Sequence, residues 1–305
     1  MMRMDISTKV GKLHLKNPVM PASGTWGYGE EYLDFVVPEE LGAVVVKGTT
    51  IEPREGNAPP RLAETPAGLL NCVGLQNVGL EKFIKEKLPV LKERKAFVIV
   101  NIAGNTVDDY RKISSALKDE KPVSAIEVNI SCPNVKEGGI SFGVNPDSAA
   151  RVIKAVRKEC PKPVIAKLTP NVSDIVSIAK ACLDAGADAV TLINTLKGIA
   201  IDTANQKPLL PNITGGLSGP AIKPVALAMV YEVKKATGAA IIGVGGIESF
   251  EDALEFIMAG ASAVQIGTAN FYNPNVMPEI IKGFEEYFIK NGIKSMEELI
   301  GAAVL

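Results

Sequence analysis

The chain has 305 residues, 47% of them hydrophobic and 22% charged, with 33 basic against 34 acidic side chains and a net charge of −1. That balance gives no basic field for gripping a phosphate backbone, which argues against nucleic acid and for a small-molecule partner. Met1–Val10 carries Arg3, Asp5 and Lys9 rather than the apolar stretch of a secretory leader, and no segment reaches the roughly 18 apolar residues of a membrane span, so the expected setting is the cytoplasm, away from membranes.

In chain order, Ile6–Leu15 reads as a hairpin turning at Gly11-Lys12. Short aliphatic runs then alternate with helical patterns. The strands expected are Pro18–Pro21, Ala43–Lys47, Phe97–Ile102, Ala125–Asn129, Val164–Lys167, Ala189–Ile193, Ala240–Gly243 and Ala263–Ile266. Helical spacing predicts Glu81–Glu93, Val107–Lys118, Pro146–Lys158, Val172–Ala185, Ala221–Thr237, Phe250–Ala259 and Pro278–Lys290. Ala185-Gly-Ala-Asp-Ala-Val190 and Ala259-Gly-Ala-Ser-Ala-Val264 repeat one phrase in which glycine caps a helix before the next strand. Eight strand-helix units close most naturally as an α/β fold, a single (β/α)8 TIM barrel preceded by the hairpin. No linker divides the chain, so residues 1–305 read as one domain. Long insertions at 48–77, 133–145 and 194–219 fall on the C-terminal face of the barrel, where sites are built.

The residues that end the strands are polar. Strand 2 ends in Lys47, strand 3 carries Asn101, strand 4 runs through Asn129 to Cys132 and Asn134, strand 5 ends in Lys167, and strand 6 runs into Asn194-Thr195. Asparagine amides suit an imide heterocycle, and buried lysines supply positive charge to an electron-rich ring. Singly, such residues often do no more than satisfy loop carbonyls; together at one mouth they point to a flat, polar, anionic ligand. Gly243-Val-Gly-Gly246 after strand 7 and Gly267-Thr268 after strand 8 sit where barrels hold phosphate on backbone N–H groups. Gly-x-Gly-Gly alone is a weak signal, equally compatible with a tight turn, and the spacing does not complete a Rossmann fingerprint.

The four cysteines, Cys72, Cys132, Cys160 and Cys182, form no C-x-x-C pair, so a cysteine-held iron–sulfur cluster and a zinc knuckle are both unexpected, and in a reducing compartment all four should be free thiols. Cys72, Cys160 and Cys182 default to core residues. Cys132 differs: it follows a strand-end asparagine, precedes a proline and opens the Gly-rich stretch 136–143, a context for a base or nucleophile beside a mobile lid. His14 is the only histidine and reads as a half-exposed strand residue, which excludes histidine-rich metal sites, so no metal is expected.

These phrases resemble the dihydroorotate dehydrogenases, class 1, and most closely the NAD-linked class 1B catalytic subunits. The likeness runs along nearly the whole chain, through Asn17-Pro-Val-Met-Pro-Ala-Ser-Gly24, Val46-Lys-Gly-Thr-Thr50, Asn71-Cys-Val-Gly-Leu-Gln-Asn77, Val100-Asn-Ile-Ala-Gly104, Asn129-Ile-Ser-Cys-Pro-Asn134, Thr214-Gly-Gly-Leu-Ser-Gly219, Gly243-Val-Gly-Gly-Ile247 and Gln265-Ile-Gly-Thr-Ala269. The resemblance implies oxidation of dihydroorotate to orotate in pyrimidine biosynthesis, with one FMN per chain across the barrel mouth. It places the FMN phosphate at Gly245, Gly246, Gly267 and Thr268, and puts Ser23, Lys47, Gly48, Asn101, Asn129, Lys167, Ile193 and Gly219 around the rest of the cofactor. Dihydroorotate would be held by Lys47, by Asn71, Cys72, Val73, Gly74 and Leu75, and by Asn129, Asn134, Asn194 and Thr195, with Cys132 as the base. Cysteine at that position, where class 2 relatives use serine, argues against class 2. The resemblance also implies a homodimer joined by two electron-transfer subunits, in which FAD and a [2Fe–2S] cluster sit on the partner and pass electrons to NAD.

The alternatives are a fumarate-linked class 1A enzyme, a Schiff-base aldolase using Lys167, a flavin-dependent tRNA dihydrouridine synthase, and a barrel used only for binding. The aldolase predicts a colourless protein. The tRNA enzyme needs a basic surface that the charge balance does not advertise. The binding barrel leaves Cys132 and the converging lysines without a role.

Overall fold

The computed structural model describes residues 4–131 and 142–305, together with the backbone of the short hairpin Lys136–Glu137/Ile140–Ser141. Among them eight parallel strands form one sheet: β1 (Val19–Pro21), β2 (Val44–Val45), β3 (Val98–Ile102), β4 (Val123–Asn129), β5 (Val164–Lys167), β6 (Ala189–Leu192), β7 (Ile241–Val244) and β8 (Ala263–Ile266). Each pairs with its sequence neighbour from β2 round to β8, and β8 pairs with β1. Between β1 and β2 the Gly42 N–H donates to the Val19 carbonyl at 2.9 Å, so the sheet wraps into a nearly closed barrel, as the strand count predicts. β2 is shorter than expected because the chain leaves the ladder: the Lys47 N–H goes to the Gly27 carbonyl instead of a strand neighbour.

The helices follow the predicted pattern with local changes. The helix expected from Val172 starts at Ile175, because the Asp174 carboxylate accepts from the Ser177 N–H and caps it there. Residues 80–93 are helical but pass through a π-helical stretch, Phe83–Lys87, where Pro89 has no N–H to give to the preceding turn. After β1 short 3₁₀ turns stand in place of a helix. The large apolar cluster lies between sheet and helices and includes Phe83, Tyr110, Phe256, Phe284 and Phe288.

Inside the barrel the side chains form two layers of opposite character. The lower layer is aliphatic, with Met20, Val45, Ile99, Ile165 and Ile242 packed on Val10, Leu13 and Leu15 of the N-terminal hairpin (Thr8–Val10, Leu13–Leu15), which plugs the barrel floor. Two residues further along, toward the strands' carboxyl ends, the layer is polar and buried: Asn101, Glu127, Lys167, Thr191 and Gln265. Period-2 alternation of the strands brings these five to the axis.

The hairpin is held by charge as well as by packing. Gly11 has φ +57°, and a Cβ there would stand 2.5 Å from the Asp188 carbonyl oxygen, so the turn lies flat on the floor. The Asp188 carboxylate takes Lys12 from the turn at 2.7 Å, Arg157 at 2.9 Å and the Val164 N–H at 2.9 Å. Burial works to raise that carboxyl, and the Lys12 contact, the Val164 N–H and Arg157 outweigh it, leaving it below the usual carboxylate range. A carboxyl that binds protons less readily folded than unfolded contributes stability above its unfolded value, about pH 4, and loses it as pH falls through the depressed folded value. Asp188→Asn is therefore expected to cost about 2 kcal/mol at pH 7, with the gap to the wild type closing below about pH 4 in urea titrations.

Candidate active site

The mouth above the polar layer is roofed by the insertions. Strands Leu196–Gly198, Gly215–Ser218, Gly68–Asn71 and Leu62–Thr65 form a four-stranded antiparallel sheet, uniting the insertion after β2 with the insertion after β6. The Asn71 amide donates to the Gly216 carbonyl at 3.1 Å across that seam. Asn77 shapes the loop leading away from it, accepting from Gly79 N–H and donating to Leu75 O, while Leu75 takes a left-handed φ of 57°.

At the centre of the polar layer Glu127 accepts from four strands. Asn101 Nδ2 reaches Oε1 at 2.7 Å and Lys167 Nζ reaches it at 3.4 Å; Thr191 Oγ1 and Gln265 Nε2 reach Oε2 at 2.8 and 2.7 Å. Lys167 also donates to Gln265 Oε1 at 3.1 Å. A carboxylate only accepts, so both amides must turn their NH₂ groups toward it. For Asn101 this leaves Oδ1 buried and without a partner among the described residues. A Cβ on the neighbouring Gly48 would lie 3.1 Å from that oxygen, so glycine keeps the approach to it open.

The remaining predicted residues that the structure describes lie in the segments that follow the strands' carboxyl ends. Lys47 is half-buried, its Nζ 5.9 Å from the centroid of the Tyr28 ring. Asn129 is fixed at both ends: its carbonyl accepts from Tyr110 Oη at 2.8 Å and its Oδ1 from the Ser131 N–H at 3.1 Å. Ser131 Oγ in turn donates to the Lys167 carbonyl at 2.9 Å. Asn194 and Thr195 are half-buried beyond β6, with Asn194 Oδ1 taking the Thr195 N–H. Ser23 is half-buried after β1, and Val73 and Gly74 are half-buried in the roof loop. Ile193 is buried, its N–H on the Val244 carbonyl. Cys72 has its side chain in a small cluster with Leu70 and Leu210, and its N–H and carbonyl are both engaged, by Arg61 O and Asn57 Nδ2. Cys132 and Asn134 lie outside the described residues.

The glycine loops meet on the far side of the mouth. A Cβ on Gly246 would stand 2.8 Å from the Gly219 carbonyl, and one on Gly219 would stand 3.6 Å from Thr268 Cγ2. Gly245, Gly246 and Gly219 have φ of 136°, 71° and 93°, and Thr268 Oγ1 donates to Ser218 Oγ at 2.8 Å. Three separate segments, around Gly219, Gly246 and Thr268, thus pack closely together after β6, β7 and β8.

The model of the family described as dihydroorotate dehydrogenase matches residues 5–288. The chain belongs to the dihydroorotate dehydrogenase family. Within it, the chain is 54% identical over 302 residues to a protein of Geotalea daltonii, covering 99% of each. It is 52% identical over 305 residues to one of Citrifermentans bemidjiense, covering 100% of each, and 53% identical over 299 residues to one of Thermoanaerobacter sp. (strain X514), covering 98% of this chain and 99% of that protein. All three relatives bear the description dihydroorotate dehydrogenase B (NAD(+)), catalytic subunit.

Sequence reasoning passed over three members of the buried polar cluster in this dihydroorotate dehydrogenase family member: Glu127, Thr191 and Gln265. Their signal is a polar residue at an inward position of an otherwise apolar strand, as in Ile126-Glu127-Val128 and Val264-Gln265-Ile266. The cysteines away from the mouth are inert by environment. Burial pushes the Cys182 thiol up to about 12 and also raises Cys160. Iodoacetamide at pH 8 is expected to leave both unmodified in the native protein, checked by peptide mass mapping.

Proposed function

We propose that the chain is the catalytic subunit that oxidises dihydroorotate to orotate in pyrimidine biosynthesis, with electrons passing on to NAD. Family membership and full-length similarity to NAD-linked catalytic subunits support this over the fumarate-linked and aldolase alternatives. The observation that carries the chemistry is Asn101 Oδ1, a buried acceptor with no described partner, which calls for an N–H donor from a bound ligand. Both the isoalloxazine ring and dihydroorotate carry imide N–H groups.

FMN fits these residues. Gly245, Gly246, Gly267 and Thr268 would hold its phosphate on backbone N–H groups, and Ser23, Gly48, Asn101, Asn129, Lys167, Ile193 and Gly219 would surround the rest. FMN, when bound, supplies the acceptor for the C6 hydride of the substrate. Lys167 would place positive charge beside the electron-rich part of the ring. Lys47, shared between cofactor and substrate, would pair with the substrate carboxylate, and the amides of Asn71, Asn129, Asn134 and Asn194 would take its imide edges, with Thr195 and the loop from Cys72 to Leu75 closing over it. Cys132, as thiolate, would remove the C5 proton. Ser131 is tied to the Lys167 carbonyl, which anchors the residue before Cys132 at the mouth. FAD and the [2Fe–2S] cluster belong to a separate electron-transfer subunit in this reading, two of which flank a homodimer in the cytoplasm. No helix among the described residues is long and apolar enough to cross a membrane.

The test is anaerobic mixing of the purified yellow protein with dihydroorotate while the flavin absorption band is followed, and then reoxidation by NAD with and without the partner subunit and by fumarate. Bleaching, with NAD reoxidising only in the partner's presence, is expected. A colourless protein, or a flavin unaffected by dihydroorotate, overturns the reading; rapid reoxidation by fumarate alone moves the chain to the fumarate-linked class.

A further inference from the structure

Glu127 has a wholly buried side chain, and 6% of the Lys167 side chain is exposed. Carboxylate and ammonium inside a barrel are expensive, because each gives up hydration that mutual attraction only partly returns. Barrel interiors are ordinarily filled by branched aliphatic side chains, as the lower layer here is. The upper layer departs from that pattern at five neighbouring positions, on β3, β4, β5, β6 and β8, and the other four converge on the carboxylate of the one on β4, Glu127. Packing alone gives no reason for the expense.

The wiring is specific. Lys167 has three N–H donors; the Glu127 oxygen at 3.4 Å and the Gln265 oxygen at 3.1 Å are its described acceptors, leaving one donor for a ligand. The closer of the two is a neutral amide that hands its own N–H to Glu127. The ammonium is therefore joined to the negative charge by one long direct contact and by one amide bridge. Such an arrangement compensates the lysine partially and keeps it in place.

We infer that Glu127 is a positioning residue that sets how much of the Lys167 charge reaches the bound flavin, with Gln265 as the relay between them. The inference rests on the reading that FMN lies against Lys167. It makes the carboxylate a brake: with Glu127 present the lysine stabilises reduced flavin moderately, and without it more strongly.

The experiment is a spectroscopic redox titration of the FMN-loaded chain against dyes of known potential. In Glu127→Gln, nearly the same shape without the charge, the equilibrium between oxidised and reduced flavin is expected to move at least tenfold toward reduced, about 30 mV for a two-electron couple. Glu127→Asp, which keeps the charge, should return to within about threefold of the wild type. Gln265→Leu leaves both charges and removes the bridge, and should move the equilibrium about threefold in the same direction as Glu127→Gln; it carries the test if the Glu127 variants do not fold. A structural role alone lowers melting temperature and leaves the potential where it was. A wild-type chain that holds no flavin overturns both the functional reading and this inference. A wild-type chain that holds flavin and is bleached by dihydroorotate, alongside variants with an unchanged or lowered potential, overturns this inference alone.

Discussion

Cys132→Ala is expected to keep its FMN while its bleaching by dihydroorotate slows at least about a hundredfold, the lower end of what a positioned base contributes. The thiolate is the competent form, so in the wild type the bleaching rate should climb as pH rises and more of the thiol ionises. Stopped-flow absorbance across pH 6 to 9 checks both statements. A flat profile, or a variant that bleaches at the wild-type rate, removes Cys132 from the role of base. Orotate affinity measured in the same variant separates loss of chemistry from loss of the site: a base contributes to the rate and little to binding of the product.

Lys167→Met should be the most damaging single change to the folded protein. It leaves Glu127 buried with its charge uncompensated, and breaking a buried pair in this way costs about 3–5 kcal/mol. Thr191, Gln265 and Asn101 still donate to the carboxylate, but none carries a charge. Retained flavin should fall as well if FMN lies against Lys167 as proposed, since the cation there is gone. Equilibrium urea unfolding and the ratio of flavin to protein absorbance measure the two losses. The double variant Lys167→Met/Glu127→Gln should recover most of the stability and little of the flavin, because it removes the stranded charge without restoring the cation. Equal recovery of both would mean that Lys167 serves Glu127 and not the ligand.

The barrel was legible because its strands obey a simple rule: short aliphatic runs such as Val164–Lys167 and Ala263–Ile266 have the same bounds in the structure as in the sequence reading. The residues at the strand ends were legible for the same reason, since Lys47, Asn101 and Lys167 stand out against the aliphatic runs that carry them. The Glu127 centre was not, because its meaning lies in the register between strands. Asn101 stands opposite Glu127 across β3 and β4, and Lys167 opposite Thr191 across β5 and β6, pairings that no one strand discloses. The roof was hidden more deeply still. Gly215–Ser218 reads as a glycine-rich loop, and its partner Gly68–Asn71 lies in a different insertion. Local preference opposes strand formation by such glycines, and tertiary pairing overrides it.

That roof has a temporal consequence. Asn71 and Gly216 are 145 positions apart, so a ribosome working at about 5–20 residues per second needs roughly 7–30 s after making the first before it delivers the second. Contacts of such long range form late, since the entropy of closing the intervening segment is met before the pairing returns anything. Staves three to five can associate on the nascent polypeptide while its chamber still lacks a lid. Capture of the proposed FMN should accordingly be a post-translational event, and a truncation ending before Gly215 should emerge unable to retain it however well its earlier staves have assembled.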